Sequence, residues 1–223
     1  MKRGRAVLCG LFVSAAAVLA PSCSKAQPGT IILCAGDSLT EQAYPRLLGR
    51  IARAEGLRAR VLNYGRSGFT SGEYLRYLRK KNGSLAEERP DVILLQLGTN
   101  DVRADGDYTS APDFERNMNA ILDIFQDFRS RAGRAPVILL AAVPPVPEGS
   151  GFPFSAESPR RVREEINPLL KRIAQKRAIP LVDNYSLFLR SPGLLPGIHP
   201  SDEGYRELAA NWYRALKPYL PRA

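Results

Sequence analysis

The sequence contains few of the side chains that bind metals or form cross-links. Its 223 residues include one histidine and three cysteines. A single histidine, no cysteine cluster and no D-x-D-x-D-G loop leave no ligand set of the zinc or calcium type. We therefore expect neither a catalytic metal nor an organic cofactor. Cys9 and Cys23 lie near the amino terminus, so Cys34 has no evident disulfide partner and is expected to be a small buried hydrophobe.

Patterns typical of nucleic-acid and nucleotide binders are also missing. The formal net charge is +10, but arginines such as Arg131, Arg160 and Arg161 are scattered over predicted solvated helix faces without interleaved aromatic residues. The chain has no phosphate loop of the G-x-x-x-x-G-K-[ST] or G-x-G-x-x-G type. We expect no nucleic-acid partner, and a nucleotide-binding protein of flavodoxin-like architecture is disfavoured.

The one long apolar run lies near the amino terminus. Basic residues at Met1–Arg5 precede the apolar stretch Ala6–Ala20, which is too short for a comfortable membrane anchor and predicts an export signal. Leu19-Ala20-Pro21-Ser22-Cys23 resembles a bacterial lipobox, with Cys23 as the lipidated residue and membrane attachment as the consequence. Ser24-Lys25-Ala26 is the competing cleavage site. The sequence thus predicts a signal peptide over 1–22, a linker over 23–29 and one domain over 30–223, in a periplasmic protein or an anchored lipoprotein.

Apolar runs alternate with amphipathic segments through the rest of the chain. Near-continuous runs such as Val92–Leu95 and Val137–Leu140 are typical of strands covered on both faces. This βαβ alternation predicts a three-layer α/β/α sandwich around a five-stranded parallel sheet. The predicted strands are Thr30–Ala35, Ala59–Tyr64, Asp91–Leu97, Pro136–Ala142 and Ile179–Asp183; the predicted helices lie near 43–56, 71–80, 112–130, 158–177 and 203–216.

The residues with evident chemistry follow the ends of these strands. Ser38 comes directly after the first strand, and the only histidine, His199, lies near the other end of the chain. In such sheets functional groups gather at the carboxyl ends of the strands. A serine hydroxyl is a poor nucleophile unless a positioned base accepts its proton, and His199 is the one base of the usual type.

Four segments in order resemble the SGNH hydrolases, also called the GDSL esterase/lipase family. They are Gly36-Asp37-Ser38-Leu39-Thr40, Asn63-Tyr64-Gly65-Arg66-Ser67-Gly68, Gly98-Thr99-Asn100-Asp101 and Gly197-Ile198-His199-Pro200. The resemblance covers nearly the whole predicted domain and implies the flavodoxin-like SGNH fold.

The resemblance also implies roles for individual residues. Ser38 would attack an ester carbonyl, and His199 would act as base and then as acid. The oxyanion would be bound by the N–H groups of Ser38 and Gly65 and by the side-chain amide of Asn100. Gly68 would provide the backbone freedom that the turn in this segment needs.

The acid of the family pattern is missing. The pattern places an aspartate three residues before the histidine, where this chain has Pro196. Three interpretations remain open. His199 and Ser38 form a dyad in which a backbone carbonyl orients the imidazole, a carboxylate from another part of the chain replaces the missing acid, or the site has lost its catalytic function. The alternative carboxylates are Asp183, Asp202 and Glu203, whereas Asp37 and Asp101 are interpreted as organisers of their loops.

Specificity is expected to depend on the loop Val143–Glu157. Phe69, Tyr108, Phe152 and Phe154 are candidates to line an acyl or aryl pocket. The sequence thus predicts an exported serine esterase that acts on a small-molecule, glycan or lipid ester, of short-acyl, glycan O-acetyl or lysophospholipid type. The alternative is a binding or scaffold domain of the same fold that has lost turnover because of Pro196.

Overall fold

The sheet has five parallel strands in the order β2-β1-β3-β4-β5. The computed structural model describes residues 29–220, so the predicted signal peptide, the lipidation site Cys23 and residues 221–223 lie outside the described residues. The predicted fold class is confirmed. The strands are β1 (Thr30–Gly36), β2 (Ala59–Gly65), β3 (Val92–Gln96), β4 (Val137–Ala141) and β5 (Leu181–Val182).

Eight α-helices flank the sheet within the described part of the chain. Two of them, α1 and α7, were not predicted, because each has at most seven residues and is too short to show a helical period. The helices are α1 (Ser38–Glu41), α2 (Tyr44–Ala54), α3 (Ser71–Glu87), α4 (Ala111–Gln126), α5 (Ser158–Arg161), α6 (Asn167–Lys176), α7 (Asn184–Arg190) and α8 (Asp202–Leu216).

Several predicted bounds change. Helix α3 continues well past residue 80, and β5 has only two residues. The predicted helix over 158–177 is interrupted by a π-helical turn at Val162–Ile166, between α5 and α6. Short 3-10 turns occupy Asn100–Val102, Pro192–Leu194 and Lys217–Tyr219.

The sheet is covered on both faces, which explains the continuous apolar runs. In β1, Leu33 and Ala35 pack into the core shared with α3, α4 and α6, whereas Ile32 and Cys34 pack into the core shared with α2, α7 and α8. Successive side chains of a strand point to opposite faces, so both sets must be apolar. Cys34 is fully buried with a free thiol, as the sequence predicts.

Register brings the functional loops to one edge of the sheet. The last residue of β1, Gly36, lies beside Gly65 at the end of β2 and beside Gln96 at the end of β3. The segments that follow these strands carry Ser38, Gly68 and Asn100 respectively. Among the helices of residues 29–220, none combines the length and the apolar character that a membrane span requires.

Candidate active site

Ser38 is the first residue of the short helix α1. The preceding Asp37 caps this helix, because its Oδ1 accepts a hydrogen bond of 3.0 Å from the N–H of Leu39. Asp37 is completely buried, and that burial raises its pKa to about 7, against the lowering effect of the Leu39 bond. The backbone N–H of Ser38 has no hydrogen-bond partner among the described residues, as expected for the first turn of a helix.

The structure brings Ser38 and His199 together. His199 Nε2 lies 2.9 Å from Ser38 Oγ, across 161 positions of sequence. The hydroxyl donates this bond when the ring carries its proton on Nδ1. Desolvation lowers the pKa of His199 from its ordinary value of 6.5, so the ring favours the neutral form that accepts a proton.

Backbone contacts hold the segment that carries His199. Ser201 caps α8, and its N–H and hydroxyl both donate to the carbonyl of Leu194, at 2.9 Å and 3.3 Å. These bonds close residues 194–201 into a loop that carries His199. The position of His199 is therefore fixed by the start of α8.

None of the predicted acids reaches His199. Asp183 caps α7 and accepts from Ser186 N–H at 2.8 Å, whereas Asp202 is an exposed residue in the first turn of α8. Glu203 pairs with Arg206 at 2.5 Å on the same helix. Pro196 is exposed, and neither its carbonyl nor that of Leu195 accepts the Nδ1–H of His199, so the interpretation of a dyad held by a backbone carbonyl is not supported. Within residues 29–220, no carboxylate pairs with the ring and Nδ1 has no hydrogen-bond partner.

Asn100 stands at the start of the 3-10 turn that follows β3. One hydrogen of its amide is donated to the carbonyl of Phe69 at 3.0 Å. The second hydrogen has no partner in the part of the chain that the structure describes. Because Asn100 lines the same cleft as Ser38 and His199, this second N–H is available to a ligand there.

Asp101 organises the turn that carries Asn100. Its buried carboxylate accepts hydrogen bonds from the N–H of Ser71 at 3.0 Å and from the Ser71 hydroxyl at 2.6 Å. These bonds join the turn after β3 to the first residue of α3. The location agrees with the predicted loop-organising role.

Gly65 does not occupy the predicted position of an oxyanion donor. Its N–H already donates to Asn63 Oδ1 at 3.0 Å, and it does not line the cleft. Gly65 instead allows the end of β2 to lie close to α1, since a Cβ at this position would be 2.2 Å from the backbone nitrogen of Glu41. The resemblance placed the role on the residue that ends β2, whereas the chain reaches the cleft two residues later, at Ser67.

Gly68 is the glycine that lines the cleft with Ser38 and Asn100. Its φ of +78° lies in the left-handed region that favours glycine. Its N–H has no hydrogen-bond partner among residues 29–220. The sequence signal for Gly68 was present in Ser67-Gly68, but it was interpreted as a turn.

The cleft that contains the serine and histidine has a volume of about 380 Å³. Of the four aromatic residues predicted to line a pocket, Phe152 and Phe154 do so. Phe69 packs against the core and contacts Tyr77 edge to face. Tyr108 is exposed outside the cleft. The full lining is Ser38, Gln42, Ser67, Gly68, Asn100, Ser150, Phe152, Pro153, Phe154, Ile198 and His199.

A larger cavity, of about 780 Å³, lies at the opposite edge of the sheet. It is lined by residues at the starts of β1, β3 and β4 together with Arg131, Arg134 and Tyr219. It contains no paired nucleophile and base. The smaller cleft is therefore the candidate active site.

Arg161 is buried, contrary to the prediction of a solvated helix face. Its guanidinium donates to the carbonyls of Asp101 at 3.0 Å and Thr109 at 2.7 Å, and it lies 4.2 Å from the centre of the Tyr108 ring. Glu165 pairs with it at 3.2 Å. The neighbouring Arg160 and Arg163 are exposed. Nothing in the helical spacing of the sequence distinguishes the buried Arg161 from these two arginines.

Residues of the types that bind metal ions do not cluster in the described range. Among residues 29–220, no three histidine, cysteine, aspartate or glutamate side chains are arranged to hold an ion.

Comparison with solved structures places this arrangement in a known fold. An acetylxylan esterase from Geobacillus stearothermophilus superposes with a TM-score of 0.67 at 19% identity, over 88% of this chain and 99% of that one. An aryl esterase from M. smegmatis superposes with a TM-score of 0.68 at 22% identity, over 86% of this chain and 100% of that one. At this identity the similarity shows the fold alone.

Sequence comparison gives the family. A multidomain esterase of Ruminococcus flavefaciens is 27% identical over 134 residues, which are 59% of this chain but only 16% of that protein. The family model of the GDSL-like lipases and acylhydrolases matches residues 34–207, from the first strand into the last helix. The chain therefore belongs to the GDSL-like Lipase/Acylhydrolase family.

Proposed function

We propose that the protein hydrolyses carboxylic esters through an acyl-enzyme on Ser38. The observation that carries the proposal is the 2.9 Å contact between Ser38 Oγ and His199 Nε2 in a cleft that opens at the carboxyl ends of the strands. Family membership supports the same reaction class.

The reaction has two halves. In the first, Nε2 of His199 takes the hydroxyl proton while Ser38 Oγ bonds to the carbonyl carbon. The carbon–alkoxy bond then breaks, and His199 returns the proton to the leaving alcohol. In the second half, His199 takes a proton from water, the water oxygen attacks the acyl carbon, and the carboxylic acid leaves as Ser38 Oγ recovers a proton.

Three N–H groups are available for the oxyanion. We assign this role to the backbone N–H groups of Ser38 and Gly68 and to the amide of Asn100, so that Gly68 replaces Gly65 of the sequence-based expectation. All three residues line the cleft. Donors that are already in place stabilise the developing charge without reorganisation during the reaction.

The catalytic base works without a carboxylate partner in this proposal. The backbone of residues 194–201 holds the segment that carries His199, and the lowered pKa of the ring favours its neutral form. Loss of the orienting acid reduces turnover in serine hydrolases by orders of magnitude without abolishing catalysis. The absence of this group also motivates the alternative of a binding domain that has lost turnover.

The acyl group is proposed to be short. A volume of about 380 Å³ accommodates an acetyl or a similarly small group beside Ile198 and Phe154, together with part of the alcohol. Long acyl chains need an extended apolar channel, whereas Gln42, Ser67 and Ser150 bring polar groups to this cleft. A short-acyl ester is therefore favoured over a lysophospholipid.

Export is a separate proposal that depends on residues 1–22 and Cys23 only. A basic segment followed by a short apolar one supports secretion, and lipidation of Cys23 would anchor the protein to a membrane. Cell fractionation of the full chain and of Cys23→Ala tests this. Membrane-bound wild type and released Cys23→Ala are expected; the same fraction for both would overturn the anchor.

Hydrolysis of 4-nitrophenyl acetate tests the enzymatic proposal. Wild type is expected to turn over, whereas Ser38→Ala and His199→Ala should lose roughly 10⁴-fold or more of kcat. Ser84→Ala, an exposed serine on α3, is the matched control and should retain activity. Circular dichroism melting establishes that each variant is folded.

A serine-directed fluorophosphonate separates the two functional classes. Labelling of Ser38, detected by mass spectrometry, is expected for an activated serine. A folded wild type that neither labels nor hydrolyses the ester faster than Ser38→Ala would favour the binding domain.

A further inference from the structure

Phe152 presents an unusually open aromatic ring at the candidate active site. It is 85% exposed, more than Leu189 at 58% or Tyr108 at 57%. It is also the one strongly exposed large hydrophobic of the described chain that lines the cleft. Covering such a ring removes apolar surface from water, so a ligand that stacks on it gains affinity.

The loop that carries Phe152 is held in place on both sides of the ring. Before it, the N–H and hydroxyl of Ser150 donate to the carbonyl of Pro147, at 3.3 Å and 2.6 Å. After it, the carbonyl of Pro153 accepts from Ala104 N–H at 2.8 Å, which ties the loop to the segment after Asn100. The ring is therefore presented by fixed backbone, and binding to it need not order the loop first.

Polar groups lie in the same cleft as the ring. Gln42 Oε1 accepts from the Tyr205 hydroxyl at 2.8 Å, which directs the other end of the amide away from Tyr205; Nε2 has no hydrogen-bond partner among residues 29–220. Ser67 is held by Glu41, whose Oε2 accepts from its N–H at 2.9 Å, and the Ser67 hydroxyl oxygen can still accept a hydrogen bond. The cleft therefore combines an apolar plate with amide and hydroxyl groups.

A ligand that matches this combination has one apolar face and several hydroxyl groups on its edge. A pyranose ring has this form, because its axial C–H bonds make an apolar face and its equatorial hydroxyls point outward. A hydrocarbon chain or an unsubstituted phenyl ring would cover Phe152 but leave the polar groups unmatched.

We propose that Phe152 is a stacking platform for a sugar ring, and that the substrate is an O-acylated glycan whose short acyl group reaches Ser38. The inference rests on the proposed esterase function and names the alcohol part of the substrate. Phe152 determines specificity in this proposal and takes no part in bond making or breaking.

The first experiment compares an ester that has a sugar ring with one that has none. The probes are an acetylated xylo-oligosaccharide and ethyl acetate, and the measured quantity is the ratio of their kcat/KM values. In Phe152→Ala the ratio should fall about tenfold or more, through a raised KM for the oligosaccharide. Phe152→Trp should restore it, because the larger ring preserves the platform.

Leu189→Ala is the matched control, since Leu189 is an exposed apolar residue outside the cleft. Its ratio should equal that of wild type. An unchanged ratio in Phe152→Ala would overturn the platform. So would a fall for 4-nitrophenyl acetate equal to that for the oligosaccharide, because the site would then select aryl esters.

Binding without turnover separates this proposal from the esterase proposal. Titration calorimetry of Ser38→Ala with the acetylated oligosaccharide should give a Kd about tenfold lower than that of Ser38→Ala/Phe152→Ala. No catalysis by wild type but Phe152-dependent binding would refute the esterase and retain the platform. Catalysis on ethyl acetate together with binding that does not depend on Phe152 would support the esterase proposal and refute the platform.

Discussion

The backbone N–H of Gly65 donates its hydrogen bond to the side-chain oxygen of Asn63, at 3.0 Å. The amide nitrogen of the same side chain donates to the carbonyl of Glu41 at 2.7 Å. Asn63 thus ties the end of β2 to α1, the helix that carries Ser38. This use of the Gly65 N–H leaves Gly68 as the glycine whose N–H is available in the cleft.

Breaking the Asn63 bridge should therefore affect stability rather than catalysis. In Asn63→Ala we expect a loss of about 1–2 kcal/mol in the free energy of unfolding, because two hydrogen bonds disappear. The kcat on 4-nitrophenyl acetate should stay within about twofold of wild type. Urea unfolding and steady-state kinetics measure the two effects. If release of the Gly65 N–H raised kcat severalfold, Gly65 would be the oxyanion donor after all.

Removal of the Asn100 amide should slow turnover strongly. The second N–H of this amide is available in the cleft while the first donates to Phe69, so Asn100→Ala should lower kcat by about 10²- to 10³-fold with a small change in KM. Asn119→Ala, on α4 and outside the cleft, is the control for loss of an asparagine. A kcat within threefold of wild type in a folded Asn100→Ala protein would contradict the assignment.

The pH profile of kcat/KM should reflect an unpartnered imidazole. Neutral His199 is the active form, so activity is lost as the pH falls through its pKa. Desolvation lowers that pKa from 6.5, and the midpoint of the acid limb should therefore lie below 6.5. A carboxylate at Pro196→Asp should move the limb to higher pH, because a nearby negative charge favours the protonated ring.

The control for that shift is Pro196→Asn, which removes the proline without adding charge. Its acid limb should coincide with that of wild type. A wild-type limb above 6.5 would indicate that a carboxylate does contact the ring in solution.

Burial of Asp37 should make stability depend on pH. Its pKa is raised from 3.8 to about 7 by burial, so between these values the folded protein retains a proton that the unfolded chain has released. This contribution to stability is complete below pH 3.8 and is lost as the pH rises to about 7. Asp37→Asn keeps an acceptor for the Leu39 N–H but does not titrate.

Thermal melting between pH 4 and pH 8 tests this. The melting temperature of Asp37→Asn, relative to wild type, should rise across that window and level off above pH 7. Parallel curves for the two proteins would show that Asp37 does not titrate there.

Local sequence patterns were enough to predict the architecture and to single out Ser38 and His199 as the candidate nucleophile and base. Apolar runs such as Val92–Leu95 are covered on both faces because both faces of a parallel sheet carry helices, and the confirmed fold follows from that rule. The hydroxyl of Ser38 and the only imidazole, His199, are features of composition and motif. Their order along the chain placed both in loops at the carboxyl ends of strands.

The identity of the donors and partners around that pair depended on tertiary structure. Gly65 and Gly68 are three residues apart in one motif, and only the tertiary structure shows that the Gly65 N–H is bonded to Asn63 whereas Gly68 lines the cleft. Arg161 has the pattern of a surface arginine but is buried against carbonyls that lie 52 and 60 positions away. Sequence patterns show local propensity and periodicity. Hydrogen bonds between segments that are far apart in the chain depend on how those segments are placed in three dimensions, and a single sequence does not show that placement.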